Sequence, residues 1–473
     1  MPGLRTTKPN QDGKSKGYLG RHFQRGNIMT KRVSKLARRE FLKVSAAAGA
    51  VGALGTTGML NQVLAAGNTV NFMAWSAAVD LVKSHVAEFE KSMGIGVEYA
   101  NAPWANYRDN IITKFVGNAP IDMMWVSDAW LPEFADAGWI APINKFDNLM
   151  KYNDDAEDFC NDSMTYKGQQ YGLTYYTDFM AFLYDEQALK KAGIDNPPRT
   201  WDQVTEQCLK IKAAGISEYP LMLALANESW LMNFLAAMVY SHGGRFTDEK
   251  GNSAMQSPTE GAVKALQWVM DAVHKHKIVS PACVETGELT GLKAFQSGNH
   301  AFALEPKYRM RPINDPAQSQ IAGRCKQALM PRGDSGDHNT VGWMRFHGMS
   351  AATAADSKQA ELTAKLIEWF GGKANGEYKF QKYLFTDIGA GFGVKSLFND
   401  KDVQASYNSY ADVNMIKLQQ SMALKSDVVT PWYGEWQETH ATAWQAAIVG
   451  QTSAEEAMKK AGDAWNSLKK EFS

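Results

Sequence analysis

An alternation of strand-like and helix-like segments, which begins at residue 68, constrains the fold more than any other feature of this sequence. NTVNFMAW and IGVEYANA have strand character, and DLVKSHVAEFEKSMG between them repeats apolar residues at helical spacing. A second helix, the buried strand IDMMWV and the short helix LPEFADAGW follow. This alternation predicts parallel βαβ units in an open α/β sheet, where ligands collect at the carboxyl ends of the strands.

The length of the chain and its distribution of charge limit the possible classes of protein. A chain of 473 residues is long enough for roughly two to four domains, and because no repeat or Ser/Gly linker divides it, we expect two domains joined by several crossings. Residues 1–43 hold 12 of the 50 Lys and Arg residues but only 2 of the 50 acidic residues, so acids outnumber bases by 10 in the remainder. An acidic body argues against a nucleic-acid partner, since phosphate contacts need a basic face.

The basic head resembles a twin-arginine export signal. Arg38 and Arg39 precede a Gly- and Ala-rich apolar run that ends in the small-residue sequence VLAA. A membrane anchor is the alternative, but glycines weaken the run, and Asn61 interrupts it before the roughly 20 apolar residues that a membrane span requires. Residues 1–66 are therefore predicted to be a basic extension and a cleaved signal, with Met29 as an alternative start, and the mature chain is predicted to be periplasmic.

The cysteines and the short motifs do not indicate a metal or a cofactor. The four cysteines are Cys160, Cys208, Cys283 and Cys325. An oxidising compartment permits disulfides among them, and the sequence does not choose among the possible pairings. No CxxC pair is present, and GAGFG at residues 389–393 lacks the strand-then-helix context of a dinucleotide loop. We therefore predict that the protein holds no metal and no cofactor.

Six stretches, spread over nearly the whole chain beyond the head, carry a family resemblance. They are NFMAWSAA, GNAPIDMMWVSDAWLPEFADAGWIAPI, YKGQQYGLTYYTDFMAFLYDEQALKKAGIDNPPRTWDQV, FQSGNHAFALE, GAGFGVKSLFND and WQAAIVGQTSAEEAMKKAGDAW. In this order they are similar to the family 1 extracellular solute-binding proteins of ABC importers, the group that resembles maltose-binding protein. The third stretch is the most specific of the six.

The resemblance implies an α/β fold of the two-lobed type II periplasmic binding protein kind, whose discontinuous lobes are joined by a multi-crossing hinge and close on a ligand. Lobe 1 is expected at residues 68–178 and 346–390, and lobe 2 at residues 179–340 and 391–473, with crossings near Thr177, Arg345 and Gly391. The implied function is capture of a carbohydrate, a mono- or oligosaccharide, for delivery to the transmembrane permease subunits of an ABC importer. Such a protein is not an enzyme, and we expect it to be a monomer.

A sugar receptor needs aromatic planes for the CH faces of its ligand and polar side chains for the hydroxyl edges. By their positions after strands, at the first crossing or in matching motifs, the predicted ligand-binding residues are Trp75, Ser76, Ser127, Asp128, Trp130, Tyr175, Tyr176, Asp178, Trp230, Glu305, Tyr308, Trp343, Arg345, Trp432 and Trp436. Asp128 is able to accept two hydroxyl hydrogen bonds, and Trp436 matches a family aromatic that stacks on sugar. The tryptophans expected in the core are Trp125, Trp139, Trp201, Trp268, Trp369, Trp444 and Trp465.

Two questions stay open in the sequence. Arg345 replaces the small residues that are usual at the second crossing of the family; it could bind an anionic group of the ligand or pair with Asp178 or Asp128. An acidic sugar is therefore an alternative to a neutral one. A secreted glycoside hydrolase that uses Asp128, Asp178 and Glu305 is the rival function, and a redox protein with a cofactor is a third, which no motif supports.

Overall fold

The computed structural model describes residues 68–228, 230–256, 261–334 and 336–472, so the predicted export signal at residues 1–66 lies outside the described residues. The strands are β1 (Thr69–Trp75), β2 (Gly96–Ala102), β3 (Met123–Ser127), β4 (Ile140–Ala141), β5 (Thr165–Tyr166), β6 (Gln169–Gln170), β7 (Gly172–Asp185), β8 (Leu221–Met222), β9 (Phe302–Pro306), β10 (Cys325–Ala328), β11 (Thr340–Ser350) and β12 (Ala423–Lys425). The α-helices are α1 (Val79–Met93), α2 (Trp104–Val116), α3 (Leu131–Asp136), α4 (Asp147–Met150), α5 (Asp158–Ser163), α6 (Glu186–Lys191), α7 (Trp201–Ala213), α8 (Leu231–Ser241), α9 (Gly261–His274), α10 (Glu288–Gln296), α11 (Met310–Ile313), α12 (Ala351–Ala355), α13 (Ser357–Gly371), α14 (Lys379–Ile388), α15 (Lys401–Asn408), α16 (Val413–Ser421), α17 (Tyr433–Ile448) and α18 (Ala454–Phe472).

The first strands and helices form the parallel units that the sequence predicts. β1 pairs in parallel with β2 over its whole length, from Thr69 opposite Gly96 to Trp75 opposite Ala102, and in parallel with β3 on its other side. The helix α1 connects β1 to β2, and Gly94, the residue immediately after it, has a φ of 65°, in the left-handed region that favours glycine. The prediction of βαβ units is confirmed.

Two long antiparallel strands then join the two halves of one sheet. The sheet runs in the order β2, β1, β3, β11, β7, β9, β8. The first part of β7 pairs with β11, and the part from Met180 onward pairs with β9 and β10. Because β7 is covered on both faces, nearly all of its 14 residues are buried and the strand has no polar alternation.

The three chain segments at which we expect crossings lie side by side. The Thr177 hydroxyl on β7 donates to the Trp343 carbonyl on β11 at 2.8 Å, and the Thr177 N–H donates to the Gly391 carbonyl at 3.3 Å. A Cβ on Gly391 would lie 1.9 Å from the Thr177 carbonyl oxygen, so this approach requires glycine. The segments touch as a hinge requires, and the lobe boundaries themselves stay predictions.

A hairpin turn and a helix cap follow from the residue types at these positions. Thr165 and Tyr166 pair with Gln170 and Gln169 in a hairpin whose turn, Lys167 and Gly168, has positive φ at both positions. The Thr200 side chain accepts the Gln203 N–H at the start of α7.

The interior contains the tryptophans assigned to it and all four cysteines. Trp125, Trp201, Trp369, Trp444 and Trp465 are buried, and Trp139 and Trp268 are partly buried against the same core. Cys160, Cys208, Cys283 and Cys325 are buried and unbonded. The disulfides that the sequence permits are therefore not formed in this fold. No helix among residues 68–472, outside the short gaps named above, is long and apolar enough to cross a membrane.

Candidate functional site

Arg345 lies where the strands of the sheet meet the crossings. Its strand β11 runs between β3 and β7, so Arg345 stands opposite Ser127 on one side and Tyr176 on the other. The register between β11 and β7 shifts immediately after Arg345, which leaves Tyr175 as the extra residue of a bulge. Bulges of this kind change the direction of neighbouring side chains and are common beside functional sites.

The Asp128 carboxylate is the anchor of Arg345. Oδ1 accepts Arg345 Nη1 at 3.1 Å, the Ala129 N–H at 2.9 Å and the Ser127 hydroxyl at 3.2 Å, while Oδ2 accepts the Met344 N–H at 3.0 Å. Burial raises the pKa of Asp128, and the Arg345 charge and these hydrogen bonds oppose the rise. Four donors leave this carboxylate little capacity to accept ligand hydroxyls, so its geometry fits a positioning role better than the direct contact we expected.

The guanidinium of Arg345 is fixed from two directions. Nη1 also donates to the Met344 carbonyl at 2.8 Å, and the guanidinium carbon lies 5.1 Å from the centroid of the Trp104 ring. Of the two roles left open by the sequence, the structure shows the pairing with Asp128. The positive charge of Arg345 is therefore compensated within the protein.

Trp104 is a candidate site residue that the sequence did not predict. Its ring stacks on Trp130 at 5.1 Å with an interplanar angle of 19°, and Trp75 meets it edge to face at 5.0 Å. Behind them, Trp125 stacks on Tyr175 at 4.5 Å in the core. Trp104 keeps 45% of its surface exposed, whereas Trp75 and Trp130 are partly buried. We call Trp75, Trp104 and Trp130 the aromatic shelf.

A sequence signal for Trp104 did exist. β2 ends at Ala102, opposite Trp75, and Trp104 begins the next helix after Pro103. A residue placed just after the end of a parallel strand lies at the same sheet edge as Trp75. The Ser76 hydroxyl, at that edge too, donates to the Asn101 side chain at 2.7 Å.

Two predicted tryptophans from other segments contact each other. Trp230, the residue before α8, meets Trp343 of β11 edge to face at 5.2 Å. Trp343 is 5% exposed, and Trp230 is partly buried. This pair places the aromatic residue that precedes α8 against the strand that carries Arg345.

Asp178 forms a buried ion pair at the first crossing. Its Oδ2 lies 3.6 Å from Lys307 Nζ, its Oδ1 accepts the Phe179 N–H at 2.9 Å, and both charged side chains are fully buried. Burial raises the pKa of Asp178 to about 6, against the effect of Lys307, and burial lowers the pKa of Lys307. Asp178 is thus enclosed by protein rather than open to a ligand.

Glu305 belongs to a second buried ionic group. Its Oε2 accepts Arg309 Nη1 at 2.7 Å, and Arg309 also pairs with Glu288. Burial raises the pKa of Glu305 well above its usual range. Tyr308, which is partly buried, donates weakly to Glu288 at 3.5 Å. In this arrangement Tyr308 is more accessible than Glu305, which has no exposed surface.

The structure places Trp432 and Trp436 inside the packing of α17 against α18. The Trp436 N–H donates to the Ala461 carbonyl at 2.9 Å, and its ring packs on Trp465 and His440 with centroids 5.0 and 4.3 Å away. Trp436 has no exposed surface, and Trp432 is 7% exposed against Trp465. The expectation that they stack on a ligand does not agree with this geometry, because their faces are covered by protein.

The part of the chain that the structure describes contains no group of three or more His, Cys, Asp or Glu side chains able to hold a metal ion.

Comparisons with known proteins agree with this architecture. The family model for bacterial extracellular solute-binding proteins matches residues 75–377. A probable ABC transporter-binding protein of Deinococcus radiodurans is 25% identical over 252 residues, which cover 50% of this chain and 55% of that protein.

Two solved structures have the same fold. Maltose-bound MalE3 of T. maritima superposes with a TM-score of 0.69 at 23% identity, covering 85% of this chain and 99% of that one. The sugar-binding protein MalE of Xanthomonas citri reaches a TM-score of 0.73 at 18% identity, covering 85% and 98%. The match supports the two-lobed α/β fold.

Proposed function

The chain belongs to the family of bacterial extracellular solute-binding proteins, and from this premise we propose that it is a receptor that captures a carbohydrate between two lobes and delivers it to an ABC importer. The observation that carries the proposal is the aromatic shelf beside Arg345, at the carboxyl ends of parallel strands and next to the chain crossings. The similarity to two sugar-binding structures supports the same assignment.

The lobes are proposed to be residues 68–178 with 346–390, and residues 179–340 with 391–473. The contacts of Thr177 with Trp343 and Gly391 support a hinge at these boundaries. A ligand that contacts both lobes would shift the equilibrium toward the closed state by the difference between its affinities for the two states.

The proposed ligand contacts combine ring faces with hydrogen-bonding edges. From lobe 1 they are Trp75, Ser76, Trp104, Trp130 and Tyr176, and from the second crossing and lobe 2 they are Arg345, Trp230 and Tyr308. Tyr176, Trp230 and Tyr308 each keep part of their surface exposed. Their rings suit the CH faces of a sugar, and their polar atoms suit its hydroxyl groups.

The ion pairs of the candidate site favour an uncharged sugar or polyol over an acidic one. Arg345 is paired with Asp128, Lys307 with Asp178, and Arg309 with two glutamates. The anionic group of an acidic ligand would lose its hydrating water on binding, and the site offers it no cation that is not already paired. This loss of hydration is costly in a site of low polarity.

The carboxylates do not support the hydrolase alternative. A glycosidase needs two carboxyl groups that face the scissile bond from a shared cleft. The side chains of Asp128, Asp178 and Glu305 are each at most 9% exposed, and each is paired with a cation. They are therefore poorly placed to protonate or attack a glycan.

We further propose that the chain acts in the periplasm as a monomer and reaches it by the twin-arginine route. The paired Arg38 and Arg39 before an apolar run support this route. Membership of an extracellular solute-binding family supports the location.

Thermal-shift screening of the purified mature protein against neutral sugars, uronic acids, polyols and phosphate esters tests the proposal. A ligand of the native state raises the melting temperature by mass action, and calorimetry on each positive compound gives its affinity. We expect at least one neutral sugar or polyol to bind, with a more compact scattering curve in its presence. Absence of binding to every carbohydrate, or turnover of a glycan, would refute the assignment.

A further inference from the structure

The four thiols of this chain are buried inside the folded protein. Cys160, Cys208, Cys283 and Cys325 lie in or beside different elements, namely α5, α7, the turn Pro281–Val284 and β10, and none is bonded to another. Around Cys160 the packing is tight enough that a Cβ on Gly393 would lie 2.9 Å from its sulfur. The native fold therefore contains four separate reduced cysteines.

Burial also makes these thiols chemically inert. Burial raises the pKa of Cys283 to about 11 and raises the pKa of the other three thiols further. The thiolate is the species that attacks a disulfide, so the folded chain offers almost no nucleophile to an oxidant.

An unfolded chain behaves differently in an oxidising compartment. Its cysteines are exposed and have an ordinary pKa of about 8.5. Two thiols can then lose two protons and two electrons to the disulfide of a periplasmic thiol oxidase, which becomes a dithiol as the protein disulfide forms. Because the native state has no disulfide, every such bond is non-native and must be undone before the chain can fold.

We propose that this protein must fold in the reducing cytoplasm before export, and that its four buried thiols impose this order. The inference rests on the twin-arginine part of the proposed function, since that route carries folded proteins. It assigns a physical reason for the route: the thiols reach the oxidising compartment only after the fold has enclosed them.

The test compares export routes in cells. One strain makes the natural chain, and a second makes the chain with residues 1–66 replaced by a signal for the general secretory channel, which passes unfolded chains. Soluble periplasmic protein is quantified, and thiols are counted with a maleimide reagent after denaturation. We expect four thiols from the natural chain, and from the rerouted chain a loss of most soluble protein with fewer than four thiols.

Two controls isolate the cysteines. The rerouted chain with all four cysteines changed to alanine, and the unmodified rerouted chain in cells without the thiol oxidase, should both regain soluble protein; the second control keeps the test valid if the alanine variant folds poorly. Equal yield and four thiols from the rerouted natural chain would overturn the proposal, as would no recovery without the oxidase.

The premise has its own check. The natural chain with Arg38→Lys and Arg39→Lys should remain in the cytoplasm with four thiols, and continued export would overturn the route on which the inference rests. Ligand binding is not a readout in these experiments, so their failure is distinguishable from failure of the receptor assignment.

Discussion

Arg345 Nη1 lies 3.1 Å from Asp128 Oδ1, and the same carboxylate accepts the N–H of Met344, the residue before Arg345. Asp128 therefore holds both the head of the arginine and the backbone that carries it. This relationship ties the end of β3 to β11 at the second crossing and leaves the guanidinium against Trp104.

Removal of either member of this pair should destabilise the protein. The side chains are 13% and 9% exposed, so Arg345→Met strands a buried carboxylate at a cost of about 3 kcal/mol. Urea unfolding measures the loss. In the double variant Arg345→Met/Asp128→Asn, the loss of unfolding free energy should be clearly smaller than the sum of the losses in the two single variants. Additive losses would show that the pair is not coupled.

Trp104→Ala should weaken ligand binding with little change in stability. The side chain is 45% exposed, so few core contacts are lost, whereas the open ring of the shelf disappears. We expect a loss of about tenfold in affinity, equivalent to about 1.4 kcal/mol, by calorimetry with the ligand found in the screen. Unchanged affinity would remove Trp104 from the site.

Trp436→Ala should instead strongly reduce the stability of the fold. The ring is fully buried and its N–H is bonded to Ala461, so truncation leaves a cavity and an unpaired carbonyl, with a cost of about 3–5 kcal/mol. Thermal unfolding of the Trp436→Ala and Trp104→Ala proteins, measured side by side, compares their losses of stability. A stable Trp436→Ala protein that no longer binds sugar would restore the original assignment of this residue to the site.

Gly391→Ala should disturb the hinge. The new Cβ would meet the Thr177 carbonyl at 1.9 Å and Lys307 Nζ at 2.8 Å, so the crossings must separate, at a cost of about 1–3 kcal/mol for an overpacked site. Gly434→Ala is the matched control, since a Cβ there meets nothing within 4 Å. Equal stability of the two variants by denaturant unfolding would contradict the close contact of the crossings.

Stability should fall on acidification from about pH 6.5 toward pH 4, where unfolded histidines bind protons. Burial lowers the pKa of His440 to about 3 and that of His85 and His242 to about 4. The unfolded chain therefore takes up protons in this window that the native state does not. Asp178, whose pKa burial raises to about 6, acts in the opposite sense, since the native state binds its proton first; Asp128 and Glu305, whose pKa burial also raises, act in the same way as Asp178.

His440→Leu isolates one of these contributions. Neither ring nitrogen of His440 has a hydrogen-bond partner within the described chain, and aromatic residues surround the ring. We expect the slope of unfolding free energy against pH between pH 4 and 6 to decrease by up to about 1.4 kcal/mol per pH unit. An unchanged slope would mean that the pKa of His440 does not differ between the folded and unfolded states in this pH range.

Trp104 and Trp436 show where sequence reasoning about the site reaches its limit. Both are aromatic residues next to helix starts, yet the packing of α17 on α18 covers Trp436, while the ring of Trp104 remains partly exposed on Trp130. Exposure of a ring depends on which elements pack over it, and local residue patterns do not contain that information. Trp75 and Ser127 are predicted from their positions at the ends of strands. In the structure Trp75 contacts Trp104, and Ser127 lies opposite Arg345.

The sequence by itself determined the features that depend on near neighbours. The βαβ alternation, the turn at Lys167 and Gly168, and the Thr200 cap each follow from residues within a few positions of one another, because periodicity, φ preference and side-chain capping are local. Only the tertiary structure decided that Arg345 pairs with Asp128, 217 positions earlier in the chain. It also decided that Asp178 and Glu305 are enclosed ion-pair members and that four cysteines stay apart. Partners, burial and charge compensation are set when distant segments pack together, and they determine which polar groups remain available to a ligand.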